Sequence, residues 1–301
     1  MPTRLEKYTA QFADRLLDAI EKGTAPWQKP WRPGEMSTPH NFNTAHEYQG
    51  GNLILLMATA AAMGYSDPRW GGFQQIRSAG GWVRKGEKGT LIMICRPSKR
   101  NPDEDADDEP ERRMYRSFHY VFNVEQTDGL ELAPISERPP ASWEPADVVR
   151  QIAADTKIEI VHQDGDKACY QPFRDRIVMP LPDQFHSRLG YEQTLLHELA
   201  HATAHPSRLD REVFRQWLND REAYAIEELR AEISSMMLGD RLRLGHEPHH
   251  GQAYVKSWIR ALRNDPDAVR RAAADATDIC EWLLRNISLG QSTSEERLEA
   301  A

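Results

Sequence analysis

His197, Glu198 and His201 stand in the stretch Thr194-Leu-Leu-His197-Glu198-Leu-Ala-His201-Ala-Thr-Ala-His205. Apolar residues recur there at helical spacing, and neither Gly nor Pro interrupts the run before Pro206. At about 3.6 residues per turn, His197 and His201 fall one turn apart on one face, where two imidazoles can reach one ion. Glu198 sits beside that face, so its carboxylate can reach a water at the ion without displacing it, the general-base position of metal-assisted hydrolysis. These residue types at this spacing point to one Zn2+ per chain with Glu198 as the catalytic base. The bland alternative is a buried helix with two hydrogen-bonded histidines.

A catalytic zinc site takes three protein ligands and leaves a position open. The third is expected from a second helical run, Glu222 to Ile233, in which Glu228 and Glu232 lie four apart on one face. Two carboxylates beside Ile233, Met236, Met237 and Leu238 make sense if one binds the cation and the other holds a ligand histidine by its free N–H. Glu228 is assigned as the ligand and Glu232 as its support, with Glu227 pointing elsewhere. The pattern Glu228-Leu-Arg-Ala-Glu232 also resembles the E-x-x-A-D/N/E element of gluzincin-like peptidases, in which the earlier glutamate is the ligand. His205 follows His201 by four residues and is placed as a neighbour of the site, since it lacks the longer Gly-containing spacing of a metzincin third ligand. Tyr224 or His205 is available as an oxyanion donor, and the sequence leaves that choice open.

These helices must be held by a fold, and 301 residues with 40% apolar composition suggest two domains with cores of their own. Residues 1–99 carry 13 Lys and Arg against 8 Asp and Glu, while the rest carries 25 against 38, so only the first half is suited to meet a polyanion. The three cysteines, Cys95, Cys169 and Cys280, are far apart and read as reduced thiols. With no apolar signal core and no run long enough to cross a bilayer, the expectation is a soluble cytoplasmic protein with no membrane partner.

In chain order, Leu5 to Lys22 reads as an amphipathic helix stopped by Gly23. In the next segment, Gly23 to Pro33, prolines hold the chain extended, so Trp27 and Trp31, alternating with Lys29 and Arg32, suit base stacking beside phosphate contacts. Their alternative is to plug a small core. A buried helix follows over about Leu53–Met63, then Arg69-Trp70 and the glycine-rich basic loop with Arg84, Lys85 and Lys88, where backbone and cations can approach phosphate. Two strands, Leu91–Cys95 and Met114–Val124, flank an acidic insert at 100–113, which is expected to be disordered. The fold class is α+β, with an N-terminal domain over 1–133, a Pro-rich linker over 134–146, a metal-binding domain over 147–290 and a tail over 291–301. Three short strands precede the His197 helix, and their edge can pair with an extended peptide. Residues 252–286 read as helical.

With both halves in view, the chain resembles the ArdC-type antirestriction proteins. The resemblance is carried by Gly23-Thr-Ala-Pro-Trp-Gln-Lys-Pro-Trp31, Asp67-Pro-Arg-Trp70, Val83-Arg-Lys-Gly-Glu-Lys-Gly89 and Phe122-Asn-Val-Glu-Gln126 in the first half. In the second it is carried by His197-Glu-Leu-Ala-His201, His205-Pro-Ser-Arg-Leu209 and Tyr224-Ala-Ile-Glu-Glu-Leu-Arg-Ala-Glu232. It implies an N-terminal single-stranded-DNA-binding domain, a C-terminal zincin-like metallopeptidase domain and protection of incoming plasmid or phage DNA, with a restriction enzyme or other DNA-bound protein as substrate. The N-terminal module is also similar to the corresponding region of TraC-type primases. Gly50-Gly51-Asn52 departs from the family pattern, which usually has a larger apolar residue in the middle. The rival expectation is a non-proteolytic DNA-binding shield with a structural or vestigial metal site.

Overall fold

The computed structural model describes residues 2–97, 114–135, 143–216, 220–248 and 251–287. The insert at 100–113, Pro139-Pro140 of the linker and the tail from 291 lie outside the described residues. The chain divides into two compact units. The first comprises residues 1–16, 38–48 and 52–135, and the second residues 17–37, 49–51 and 136–301. Residues 17–37, expected in the N-terminal domain, therefore pack with the second unit.

The first unit begins in α1 (Arg4–Glu21) and contains β1 (His40–Asn41), most of α2 (Gly50–Met63), β2 (Arg69–Gly72), α3 (Phe73–Ser78), β3 (Trp82–Val83), β4 (Thr90–Pro97), β5 (Met114–Asn123) and β6 (Thr127–Asp128). Its main sheet has the order β1-β2-β5-β4, with β1 parallel to β2 and the other pairs antiparallel. β3 and β6 form a separate two-stranded ribbon. The helix α2 is apolar nearly all round, as a helix buried on several faces must be. Its Leu56 joins Tyr48, Trp70, Ile92 and Val121 in a core beneath the sheet.

The second unit contains α4 (Pro145–Thr156), β7 (Glu159–Gln163), β8 (Cys169–Gln171), β9 (Arg176–Pro180), α5 (Arg188–Ala202), α6 (Val213–Gln216), α7 (Arg221–Arg241), α8 (Gly251–Asn264) and α9 (Ala268–Leu284). β9 is central because Ile177, Val178, Met179 and Pro180 are buried in succession, the pattern of a strand covered on both faces. β7 runs parallel to it, and β8 lies antiparallel on the outer edge. The single helical run expected over 252–286 is two helices, because Asp265-Pro266 breaks it. No helix among the described residues is long and apolar enough to cross a membrane.

Candidate metal centre

The helix α5 starts where the Ser187 hydroxyl accepts from Gly190 N at 2.9 Å, satisfying one of the free N–H groups of the first turn. At its other end Arg208 Nε donates to Ala202 O at 2.6 Å, a side-chain cap on a terminal carbonyl. The helix α7 is capped by Asp220, whose carboxylate accepts from Glu222 N at 2.8 Å and Ala223 N at 3.3 Å. Both helices are buried through their middle turns and pack on one another, so polar groups between them must find partners there.

At that contact three donors converge. His197 Nε2 and His201 Nε2 are 3.2 Å apart, His197 Nε2 lies 3.6 Å from Glu228 Oε2, and His201 Nε2 lies 3.5 Å from Glu228 Oε1. Four ligands at about 2.0–2.1 Å around a tetrahedral ion are separated by roughly 3.3–3.4 Å, so these donors already stand near the spacing of zinc ligands. They face a cleft of about 380 Å³ lined also by Glu198, Tyr170, Tyr224 and Tyr254. An ion held there has an open side, as a catalytic ion needs and a structural one does not.

The electrostatics favour a cation. Burial works against the charge on Glu228, but His201 and His197 outweigh it and hold the carboxylate far below its usual range. Burial likewise disfavours charged imidazoles, yet Glu228 and Glu227 raise His201 well above its ordinary value, and Glu228 and Glu232 raise His197. The carboxylates around these nitrogens favour positive charge there, which a divalent ion held by the same donors would supply.

Glu198 is placed by the edge strand: its Oε2 accepts from Tyr170 N at 2.6 Å. β8 is in turn tied to the end of α5, because Tyr170 donates its hydroxyl to Asp175 and Arg208 bonds both. Glu227 does not point elsewhere. It is fully buried behind His201, with Oε1 3.4 Å from Nδ1, and pairs with Arg211 and Arg230. It lies behind His201, while Glu232, also buried, acts on the other histidine, His197. His205 bonds Ser207, stacks edge-on against Phe214 and does not line the cleft. Tyr224 does line it, together with Tyr254 from α8, whose hydroxyl donates to Tyr224 at 3.5 Å. Nothing in sequence spacing pointed to Tyr254 or Arg211.

The expected nucleic-acid contacts fare unevenly. Trp27 is 0% exposed and packs edge-on against Trp258 with ring centroids 6.3 Å apart, so it plugs the core of the second unit and offers no face to a base. Trp31 also belongs to that unit, pairs with His246 through two backbone hydrogen bonds and has Lys29 over its ring at 4.5 Å. Arg32 is exposed beside it. Trp70 is likewise 0% exposed, in the core of the first unit. Arg69 is clamped onto Asp67 and donates to Ala133 O at 2.7 Å, which makes it a strut. Arg84 is bound to Glu87 and to the carbonyls of Glu125 and Thr127, whereas Lys85 and Lys88 are exposed. Trp27 and Trp70 are buried for one reason: an indole buries more area than any other side chain, and a tertiary core claims it before a ligand does.

Residues 147–275 match the family model described as a zincin-like metallopeptidase, and residues 6–124 match that of the N-terminal domain of anti-restriction factor ArdC. The crystal structure of the antirestriction ArdC protein from the R388 plasmid in its Mn(II)-bound form is similar with a TM-score of 0.74 and 33% identity, over 94% of this chain and 99% of that one. Its metal-free form gives 0.71 and 35%, over 93% and 97%. A DNA primase TraC of Escherichia coli is 42% identical over 97% of this chain, which spans only 28% of the primase's length. The uncharacterized protein y4eC of Sinorhizobium fredii (strain NBRC 101917 / NGR234) is 34% identical over 92% of this chain and 90% of its own.

Proposed function

The chain belongs to the ArdC antirestriction family, and from that premise we propose that it binds single-stranded DNA and cleaves a DNA-bound protein at a Zn2+ site made by His197, His201 and Glu228. The observation that carries the chemical half is the convergence of those donors with Glu198 in one cleft beside an edge strand. A zinc ion there supplies Lewis acidity toward a carbonyl and acidifies water near neutral pH. Glu198 takes the proton of the attacking water on its carboxylate and returns it to the leaving nitrogen. Tyr224 lines the same cleft, with its hydroxyl accepting from Tyr254, and is the donor to the carbonyl oxygen as it gains charge. The outer edge of β8 offers main-chain pairing to an extended polypeptide.

A peptidase attached to a DNA-binding module works at raised effective concentration on proteins that meet the same strand. A restriction enzyme on incoming DNA is the proposed substrate, in the cytoplasm of the receiving cell. The test incubates the protein with a restriction enzyme, with and without single-stranded DNA, and seeks fragments by mass spectrometry. Glu198→Gln is expected to keep full metal by elemental analysis and lose every fragment, whereas His197→Ala, His201→Ala and Glu228→Ala lose the metal as well. Full zinc in Glu228→Ala removes that residue from the ligand set. Protection that survives Glu198→Gln with no fragments defeats proteolysis and leaves a DNA-binding shield.

A further inference from the structure

With Trp27 and Trp70 in cores, the single-stranded-DNA reading, on which this inference rests, needs another surface. The first unit has one. Trp82 is 53% exposed and Tyr120 56%. Trp82 sits in β3 opposite Asp128 of β6. A Cβ built on Gly129, whose φ is +76°, would fall 2.5–3.1 Å from three of its ring carbons. The ring thus rests against bare backbone, held in place while still half open to solvent. Tyr120 lies by Gly89, where a Cβ would come within 3.1 Å of the Tyr120 Cβ. The loop from Arg84 to Gly89 joins the two places.

That loop has its acid neutralised from within. Glu87 is paired with Arg84 and accepts from Gln126 Nε2 at 3.0 Å, while Gln126 Nε2 also donates to Lys88 O. Arg84 lies 3.6 Å from Asp128 as well. Lys85 and Lys88 remain exposed, with no carboxylate partner among the described residues. Two exposed rings with free cations on the loop between them are the arrangement that holds a single strand: any base has a face to stack, and the ammonium groups take phosphates. We propose that Trp82, Tyr120, Lys85 and Lys88 form the single-stranded-DNA contact surface of this chain. A duplex hides its base faces and leaves only the lysines to contribute, and a pre-seated ring loses little freedom on binding.

The test is fluorescence anisotropy of labelled oligo(dT) with the full chain, at several salt concentrations, with thermal melts of each variant as folding controls. Trp82→Ala is expected to weaken binding about 10-fold or more, as one lost stacking contact does. Trp82→Phe should recover most of it, and Tyr120→Ala should also bind more weakly. Lys85→Ala with Lys88→Ala should lower the slope of log K against log salt by about 1.4, two phosphates at roughly 0.7 each. Wild-type affinity in both Trp82→Ala and Tyr120→Ala, with unchanged melts, overturns the surface while the DNA reading stands. Equal affinity for duplex with no dependence on Trp82 also overturns it. If the unaltered protein fails to bind oligo(dT) even at low salt, the reading and the surface fall together.

Discussion

Glu227 decides how firmly His201 presents its Nε2. It is fully buried with Nδ1 of His201 on one side and Arg211 and Arg230 on the other, and those cations outweigh burial to hold its carboxylate below the usual range. Replacing it by Gln removes the charge and leaves two arginines facing a neutral amide. Breaking a buried pair on one side costs about 3–5 kcal/mol, and losing the group behind a ligand histidine costs about 10–100-fold in metal affinity. Glu227→Gln should therefore lower the urea midpoint and release zinc to a competing chelator more readily, with both ligand histidines intact. Unchanged chelator competition would mean that His201 is oriented by other contacts. The sequence showed His197, Glu198, His201 and Glu228 because their spacing on a helix is chemistry by itself. It hid the role of Glu227, because whether a second, adjacent glutamate is also buried depends on how α7 is rolled against α5.

Between elements, α5 and α7 are locked by a junction with no room in it. Gln193 Nε2 donates to Gly245 O at 2.7 Å, and Ser235 donates its hydroxyl to Gln193 Oε1 at 2.9 Å. A Cβ on Gly239 would lie 2.0 Å from Gly245 O and 2.9 Å from Gln193 Nε2. The atoms in the way are backbone and a buried amide, so Gly239→Ala must shift α7 or the turn after it. Overpacking of this kind costs about 1–3 kcal/mol. A lower melting temperature and weaker zinc retention are expected together, since the displaced helix carries Glu228. A melt equal to that of the unaltered protein would show that the turn yields instead.

For the whole molecule, Trp27 in the segment 17–37 serves stability, although the composition of the segment suggests binding. It packs in the second unit, where His246 Nε2 bonds Trp27 O at 2.9 Å and the Trp27 ring meets Trp258. Trp27→Ala in the full chain should cost about 3–5 kcal/mol, the usual loss for a fully buried Trp, measured by urea unfolding. Its affinity for oligo(dT), read well below the transition, should be unchanged. A weakened affinity in fully folded Trp27→Ala protein would return this tryptophan to the DNA surface. By itself the sequence determined the α+β class, the helix with His197, Glu198 and His201, the run with Glu228, the strands before that helix and the basic loop of the first half, all set by local periodicity and residue type. Only the tertiary structure decided that the segment 17–37 joins the second unit, that Glu227 is buried behind His201, that Tyr254 lines the cleft, and that Trp82 is open where Trp27 and Trp70 are not. Each of those outcomes depends on which faces of distant segments bury one another. Burial is a property of pairs of surfaces, and spacing within one segment specifies only half of each pair.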